Sequence, residues 1–299
     1  MVDISKFCCR ILAHILRPTC FNKLYIKVMY CYKTGKYLNF KKPVTFCEKI
    51  QWLKLYNRNP QFTIMADKYA VKQFVAEKIG ERYVVPTIGV WDRPSEINWD
   101  FLPNEFVLKS NCGGGNNGVV ICTDKDSLNK DEAISKLEKS YKQSLYKVHR
   151  EWPYKNIKRK IIAEELLKEY VNGERVNDLS DYKFYCFNGE PQYCQVIRGR
   201  STKETIDFYD LDWKHMPFVG LNPKVYNGTT MVPKPSCLDE MLCICKKLCH
   251  NIPFLRIDLY LIQGKIYFGE ITFFPSSGFG RFAPEEWDKK LGDLIQLPI

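Results

Sequence analysis

Two apolar strands that each carry an acid dominate the stretch Leu255–Gly280. The strands flank a short turn at Ile262-Gln263-Gly264, and their acids are Asp258 and Glu270. A carboxylate in a buried strand is costly unless a partner compensates its charge. The simplest partner for two such acids is a divalent cation held by hard oxygens. The pattern therefore predicts a hairpin that carries a metal site.

The register of this hairpin decides whether its acids can act together. Glu270 and Thr272 are two residues apart, so they share one face of their strand. Asp258 joins that face only if the loop holds an odd number of residues. We expect a three-residue loop, which puts Asp258 opposite Phe268 and diagonal to Glu270, about 7–8 Å away. A two-residue loop would turn Asp258 away and leave a plain hairpin with two chance acids.

Composition and charge narrow the class of protein. The 299 residues allow one large domain or two to three subdomains, and a hydrophobic content of 45% is enough for a packed core. The net charge of +11 favours an anionic partner: a nucleotide, a polyanionic glycan, nucleic acid or an acidic membrane face. The 13 cysteines form no disulfide framework, and no secretory leader is visible, so a reducing cytoplasm is expected.

The first 65 residues are predicted to form a helical cap. The segment FCCRILAHIL and its flank are interrupted by Arg10, His14 and Arg17, so this stretch is too short and too charged to span a bilayer. Two interpretations are open: a helix buried against the body of the protein, which we favour, or a basic amphipathic helix resting on a membrane. Further along, Thr45 and Glu48 have the spacing of a helix capping box.

A glycine-rich loop lies between two predicted strands. FVLK ends on Lys109, SNCGGGNNG follows, and VVICT resumes as a strand. Gly113–Gly118 matches G-x-G-x-x-G, but no helix follows and no Gly-Lys-Ser/Thr ends the loop, which excludes a dinucleotide fingerprint and a P-loop. Such a loop suits a flap whose N–H groups close over phosphates, with the charge of Lys109 facing phosphate rather than a core acid. The alternative is a flexible hairpin loop.

Other predicted elements carry charged residues. The strand Asp181–Phe187 alternates, so Asp181 and Lys183 share a face, and Asn188-Gly189 is a hairpin turn signal. The remaining predictions are a helix over Met65–Ile79 with Asp67 as N-cap, a polar helix over Ser127–Val148, and strands over Val84–Val90, Ile161–Leu167 and Gln192–Arg198.

In this order the motifs resemble the ATP-grasp superfamily, and most closely its TupA-like branch, found in bacterial surface-polysaccharide pathways. The segments that carry the resemblance are ADKYAVKQFV, FVLKSNCGGGNNG, IIAEELL, DYKFYCFNGEP, FYDLDW and IDLYLIQGKIYFGEITFFPSSGFGRFAPEEWD. The resemblance covers nearly the whole chain. It implies an α+β ATP-grasp fold in which subdomains at 66–163 and 164–299 clasp ATP, preceded by the N-terminal helical cap at 1–65.

The resemblance also implies a nucleotide site. Phosphate binding is expected at Lys68, Lys109, Gly113, Gly114, Gly115 and Gly118. The hinge that holds adenine is expected at Glu164, Glu165, Leu166 and Leu167, and the ribose contact at Asp181.

The metal and acceptor sites implied by the resemblance lie in the strands that follow. Two Mg²⁺ ions are expected on Asp258, Glu270 and Thr272. The family pattern has asparagine where Thr272 stands, which leaves direct ligation by this hydroxyl open. Arg256 resembles the arginine that steadies the transferred phosphoryl group, and Lys183 and Arg198 occupy positions near the acceptor.

The implied activity is an ATP-dependent carboxylate–amine ligase that works through an acylphosphate. In this branch the acid is expected to be a uronic acid of a capsule or cell-wall glycan, joined to an amino acid or amine, and the reverse arrangement with an aminosugar is open. No nucleic-acid partner is expected, and the location is expected to be cytoplasmic, with the basic N-terminal helices able to touch the membrane. The alternatives are a kinase or glycosyltransferase-pathway protein with a hydroxyl acceptor, and a non-catalytic binding module.

Overall fold

The computed structural model describes residues 4–115, 118–171, 173–176, 179–200, 202–221 and 225–298. The α-helices of these ranges are α1 (Ile4–Leu16), α2 (Asn22–Thr34), α3 (Phe46–Tyr56), α4 (Gln61–Ala66), α5 (Ala70–Ile79), α6 (Lys130–Lys142), α7 (Leu145–His149), α8 (Leu238–Cys249) and α9 (Glu286–Leu294). The strands are β1 (Thr87–Trp91), β2 (Phe106–Ser110), β3 (Val119–Cys122), β4 (Ile161–Glu164), β5 (Glu169–Val171), β6 (Glu174–Val176), β7 (Asp181–Phe187), β8 (Glu190–Arg198), β9 (Thr205–Tyr209), β10 (Val219–Gly220), β11 (Phe254–Ile262), β12 (Lys265–Thr272) and β13 (Phe282–Ala283).

The first large sheet is antiparallel, with strand order β1-β4-β2-β3. Helix α6 packs on it through Ala133 and Leu137, which share a core with Phe106 and Leu108. The glycine-rich loop joins β2 to β3, as predicted. Strand β4 lies between β1 and β2 in this sheet. It ends at Glu164, whereas the sequence predicted a strand as far as Leu167.

The second large sheet is also antiparallel, with strand order β12-β11-β7-β8-β9. Helix α8 covers one face, where Cys186 of β7 meets Cys245 and Cys249 among apolar neighbours. Apolar burial on that face fixes the sheet in place. The opposite face carries the acidic and basic side chains that form the site described below.

The strongest local signals in the sequence are confirmed. Thr45 and Glu48 form the capping box at the start of α3. Asn188 and Gly189 form a two-residue turn between β7 and β8, with φ of 52° and 89°. Positive φ at both positions is what a type I′ hairpin turn requires, and Asn-Gly supplies it at little cost.

Two predicted helices are wrong in extent. Met65–Ile79 is divided into α4 and α5, because Asp67 Oδ1 accepts hydrogen bonds from the backbone N–H groups of Tyr69 (2.8 Å) and Ala70 (3.2 Å) and starts a new helix there. Asp67 therefore caps α5 rather than a helix that begins at Met65. The Ser127–Val148 segment contains two helices, α6 and α7, separated by a break at which Ser144 caps α7.

The N-terminal helices α1 and α2 pack on each other around a small cluster that includes Ala13, Leu16 and Tyr25. This arrangement buries one side of α1, while Phe7 and Ile15 on another side stay exposed. Among the ranges that the structure covers, no helix combines the length and the apolar character needed to cross a bilayer.

Candidate active site

One face of the second sheet gathers the charged residues of three neighbouring strands. The register places Asp258 of β11 directly opposite Lys183 of β7 on one side and Glu270 of β12 on the other. Arg256 and Asp181 lie two residues away along their strands, so they point to the same face. The sheet thus brings together three acids and two cations from separate parts of the sequence: Asp181, Asp258, Glu270, Lys183 and Arg256.

The Asp258–Glu270 pair depends on a β-bulge. The turn between β11 and β12 has two residues, Gln263 and Gly264, because Ile262 pairs with Lys265, so the predicted three-residue loop is wrong. A two-residue turn alone would pair Asp258 with position 269. An extra residue, Gly269, shifts the register and sets Asp258 against Glu270.

Glycine at the bulge is explained by its surroundings. A Cβ atom on Gly269 would lie 3.0 Å from the carbonyl oxygen of Asp258 and 3.0 Å from the ring of Tyr260. A side chain there would press on the strand that carries the acid. The bulge therefore keeps the two carboxylates on one face and keeps the backbone close behind them.

Arg256 joins the two carboxylates. Its Nε and Nη2 donate to Asp258 Oδ1 (2.7 Å) and Oδ2 (2.8 Å), and Nη2 also lies 3.1 Å from Glu270 Oε1. Lys183 Nζ forms a second ion pair with Asp258, and Lys68 Nζ lies 2.7 Å from Glu270 Oε2. Each acid is thus bound by two cations, so this face holds its charges close to balance.

The two acids differ in their protonation behaviour. Burial raises the pKa of Asp258, and Arg256 and Lys183 only partly oppose that rise. Burial also works to raise the pKa of Glu270, but Lys68 and Arg256 outweigh it and hold this pKa well below its ordinary value. The Asp258 side chain is 3% exposed whereas that of Glu270 is 34% exposed, so solvent and ligands reach the site from the Glu270 side.

Asp181 offers an unused acceptor beside this pair. Its Oδ2 lies 2.7 Å from both Lys183 Nζ and Arg200 Nη2. Its Oδ1 is buried and has no hydrogen-bond partner. A buried acceptor without a partner is costly and marks a place where a donor from a ligand fits. Such a donor can be a hydroxyl group, and the ribose contact implied by the resemblance stays a prediction.

Lys109 does not face open space. It forms an ion pair with the buried Glu164, whose other carboxylate oxygen lies 2.6 Å from Lys72 Nζ. Burial works to raise the pKa of Glu164, but Lys109 and Lys72 outweigh it and lower this pKa. The expectation that Lys109 faces phosphate rather than a core acid is therefore wrong in this structure. The trio carries one net positive charge.

The expected adenine hinge begins at this buried glutamate, Glu164, and runs to Leu167. Because both carboxylate oxygens of Glu164 are paired with lysines, this side chain is not free to bind adenine. The backbone N–H of Glu165 donates to Pro86 O at 3.2 Å, and the Glu165 side chain is exposed. Leu166 and Leu167 are half-buried and follow β4 towards the second sheet.

The flap glycines lie against α6 and the start of α7. A Cβ atom would lie 2.5 Å from Ser140 Oγ at Gly113 and 2.1 Å from it at Gly118, and 3.3 Å from Leu145 at Gly114. Gly115 has φ of +66° with open space around it. Close approach to Ser140 therefore requires glycine at both ends of the flap. Asn116 and Asn117, within the predicted flap, are outside the described residues.

Asn111 is a residue that the sequence interpretation missed. It is fully buried, and its carbonyl oxygen accepts from the backbone N–H of Lys68 at 3.0 Å. Its Nδ2 donates to Asp67 Oδ1 (2.9 Å) and Lys158 O (2.9 Å), and its Oδ1 accepts from Lys160 N (2.8 Å). Asn111 thus fixes the turn that presents Lys68 to the base of the flap. Its place two residues after Lys109 was the available signal.

Arg198 does not belong to the cluster. Asp181 pairs with Ile197, so the neighbouring Arg198 points to the opposite face of the sheet. There its Nη2 lies 3.2 Å from Asp207 Oδ2 and donates to Thr230 O at 2.7 Å. The expected place of Arg198 near the acceptor, beside Lys183, is therefore corrected.

The chemistry of the donor set fits Mg²⁺ bound together with phosphate. Within the described parts of the chain, no group of three or more His, Cys, Asp or Glu side chains is arranged to hold a metal by itself. Mg²⁺ commonly takes one or two carboxylates and fills its other positions with water and substrate phosphates. Asp258 and Glu270 supply that minimum. The Thr272 hydroxyl donates to Glu270 Oε1 at 3.3 Å, so it orients this carboxylate.

The family of the chain follows from a comparison with known proteins. A family model described as TupA-like ATP-grasp matches residues 48–296. The chain belongs to the TupA-like ATP-grasp family. This membership confirms the resemblance inferred from the motifs and the predicted α+β ATP-grasp fold. No curated protein matches the chain.

Solved structures of ATP-grasp ligases resemble this TupA-like protein. D-alanine–D-alanine ligase of Bacillus anthracis is 20% identical, with a TM-score of 0.43 over 77% of this chain and 66% of that one. The Helicobacter pylori enzyme is 14% identical, with a TM-score of 0.43 over 83% of this chain and 68% of that one. The ATP-grasp ligase PsnB complexed with its minimal precursor is 10% identical, with a TM-score of 0.39 over 76% of this chain and 59% of that one. The chain thus spans about two thirds of the length of the D-alanine–D-alanine ligases.

Proposed function

We propose that this TupA-like protein is an ATP-dependent ligase that joins a carboxylate to an amine through an acylphosphate. The observation that carries the proposal is the pair Asp258 and Glu270, set side by side by the bulge and surrounded by Lys68, Lys183 and Arg256. Two carboxylates among three cations can bind a metal-bound polyphosphate and neutralise charge on a phosphoryl group in transfer.

Nucleotide binding would exchange partners within this cluster. In the structure, Lys68 pairs with Glu270 and Lys183 pairs with Asp258. The arriving phosphates offer these lysines new oxygen partners, which releases the carboxylates for Mg²⁺. When bound there, Mg²⁺ would neutralise phosphate charge and orient the γ-phosphate. Asp181 Oδ1 would accept a hydrogen bond from a ribose hydroxyl.

The reaction that fits this site has two steps. In the first, a carboxylate oxygen of the substrate bonds to the γ-phosphorus, the bond to the β,γ-bridging oxygen breaks, and ADP leaves with the electron pair. In the second, a neutral amine bonds to the acyl carbon, phosphate leaves with the C–O electron pair, and the amine proton goes to solvent. Arg256 would hold the transferred group while charge moves onto ADP.

A carboxylate acceptor is favoured because the cluster offers no histidine as a base. A carboxylate is ionised at neutral pH, whereas a hydroxyl group usually needs a base. His215 lies 2.9 Å from Asp207 on the opposite face of the sheet. His149 packs on Phe279, and burial, reinforced by Lys54, lowers its pKa to about 3. The acid proposed from the resemblance is a uronic acid of a surface glycan, with an amino acid or amine as nucleophile, in the cytoplasm.

The test is a screen of uronic acids and amines for ADP release with ATP and Mg²⁺. With the correct acid and no amine, hydroxylamine should trap the acylphosphate as a hydroxamate. Glu270→Gln should abolish trapping, whereas Glu174→Gln, at an exposed glutamate of β6, should leave it unchanged. ADP release with the phosphoryl group on a sugar hydroxyl and no hydroxamate would establish a kinase instead.

A further inference from the structure

The helical hairpin α1–α2 presents an apolar surface to solvent. On α1, Phe7, Ile11 and Ile15 are 55%, 47% and 59% exposed. Their spacing of four residues puts them in one stripe along the helix, and the exposed Leu12 lies beside that stripe. The residues that α1 buries against α2 lie on a different side of the helix, as Ala13 and Leu16 show. This exposed stripe, Phe7 to Ile15, is called the apolar stripe below.

The charged side chains of α1 and α2 themselves are all cationic. Residues 4–47 contain no aspartate or glutamate. Cations lie on the exposed surface of the same two helices, at Arg10, Arg17, Lys23 and Lys27. By helical spacing Arg10 and His14 stand at the border of the apolar stripe rather than within it. An apolar face bordered by cations, on helices that carry no acid of their own, is complementary to a surface that is apolar inside and anionic outside.

The hairpin is held firmly to the rest of the protein. Arg150 donates from Nη2 to the carbonyl oxygens of Leu16 (3.3 Å), Arg17 (2.9 Å) and Thr19 (3.2 Å), which closes the C-terminal end of α1. The Arg150 guanidinium also lies 4.0 Å from the ring centroid of Tyr25 on α2. The apolar stripe is therefore a fixed feature of the surface, presented at a set angle.

We infer that the α1–α2 hairpin docks the protein on an anionic lipid bilayer, with the apolar stripe inserted at the level of the headgroups. Insertion takes the stripe out of water, and the surrounding cations bind lipid phosphates. This inference is independent of the proposed ligase activity. Docking would hold the protein at a membrane surface whether or not the ligase proposal is correct.

The test is co-sedimentation of the full chain with vesicles, at low and at high salt. Vesicles of phosphatidylcholine with about one third phosphatidylglycerol should bind the protein, and pure phosphatidylcholine vesicles should bind it much more weakly. Binding should fall as salt rises, since exposed charges are screened.

Matched variants separate the two contributions. The triple change Phe7→Ser, Ile11→Ser, Ile15→Ser should weaken binding more than tenfold, whereas Phe101→Ser with Ile121→Ser, at exposed apolar residues elsewhere, should not.

The charge arm of the test uses Arg10→Gln with Lys23→Gln. This pair should weaken binding to anionic vesicles by about fivefold per charge, whereas Lys136→Gln with Lys139→Gln, on the exposed side of α6, should leave it unchanged. All substituted side chains are exposed, so thermal unfolding should match that of the wild type.

Three results would overturn the inference. The first is absence of binding to anionic vesicles. The second is binding that the α1 variants leave intact. The third is a dimer in solution that the triple apolar change dissociates, since this would assign the stripe to a second copy of the chain.

Discussion

Replacing Lys109 with methionine should destabilise the fold, although the sequence alone assigns this lysine to phosphate binding. Lys109 is one of two cations that hold Glu164, which is 5% exposed. Methionine fills a similar volume but leaves the buried carboxylate with Lys72 alone. Removing one partner of a buried charged group costs about 1–3 kcal/mol, and about 3–5 when no partner remains. Because Lys72 remains, we expect a loss of about 1–3 kcal/mol in the free energy of unfolding.

The pH dependence of this loss follows from the lowered pKa of Glu164. A carboxyl group whose pKa is lower in the folded state stabilises the fold above its unfolded pKa, and this contribution disappears as pH falls through the folded pKa. Lys109→Met removes part of that contribution. The difference in stability between wild type and variant should therefore be largest at neutral pH and should shrink below about pH 4.

Urea unfolding followed by tryptophan fluorescence measures both effects. The double variant Lys109→Met, Glu164→Gln is the control, because it removes the acid together with its partner and should lose less than the two single variants added together. A Lys109→Met loss below about 0.5 kcal/mol, the usual range for an unimportant surface change, would refute the buried pair. A loss that stays equal at neutral and acid pH would refute it as well.

Three further predictions concern ligand binding. Glu270→Gln should abolish Mg²⁺-dependent ATP turnover while circular dichroism shows an intact fold, and normal Mg²⁺ dependence in this variant would remove Glu270 from the metal site. Asp181→Asn should weaken ATP binding about tenfold in calorimetry, because the amide offers one acceptor where the carboxylate offered two and also weakens the pairs with Lys183 and Arg200. Hydrogen exchange over Ser110–Val119 should slow when a non-hydrolysable ATP analogue binds, and equal exchange in both states would mean that the flap does not close on phosphates.

The turn between β7 and β8 was predictable from the sequence, but the register of its strands was not. Asn188-Gly189 gives a two-residue turn that any reader of the sequence can place. Counting from this turn alone would put Arg198 on the same face as Asp181, yet an extra residue at Gln192 in β8 shifts the register by one and turns Arg198 away. A bulge leaves only a weak trace in sequence, and a shift of one residue moves a side chain to the other face.

The Asp258–Glu270 pair also depends on a bulge, but here the bulge brings the two side chains to the same face. The sequence correctly singled out Asp258 and Glu270, but the predicted route to their pairing was wrong, since a two-residue turn and a bulge at Gly269 replaced a three-residue loop. Asn111 and Lys72 lie within segments that carry the resemblance, but they were missed because each acts through contacts with segments distant in the sequence. Helix capping and turn chemistry are local, whereas burial and ion pairing are settled by the packed fold.

The most direct test of the ligase proposal follows an oxygen atom. The acid identified in the substrate screen is labelled with ¹⁸O in its carboxylate and supplied with ATP, Mg²⁺ and the amine, and the released phosphate is examined by ³¹P NMR. An acylphosphate transfers one carboxylate oxygen to phosphate when the amine displaces it, so we expect ¹⁸O in the phosphate in proportion to the amide formed. Amide formation with unlabelled phosphate would contradict the ligase mechanism, because the carboxylate would then not have attacked the γ-phosphorus.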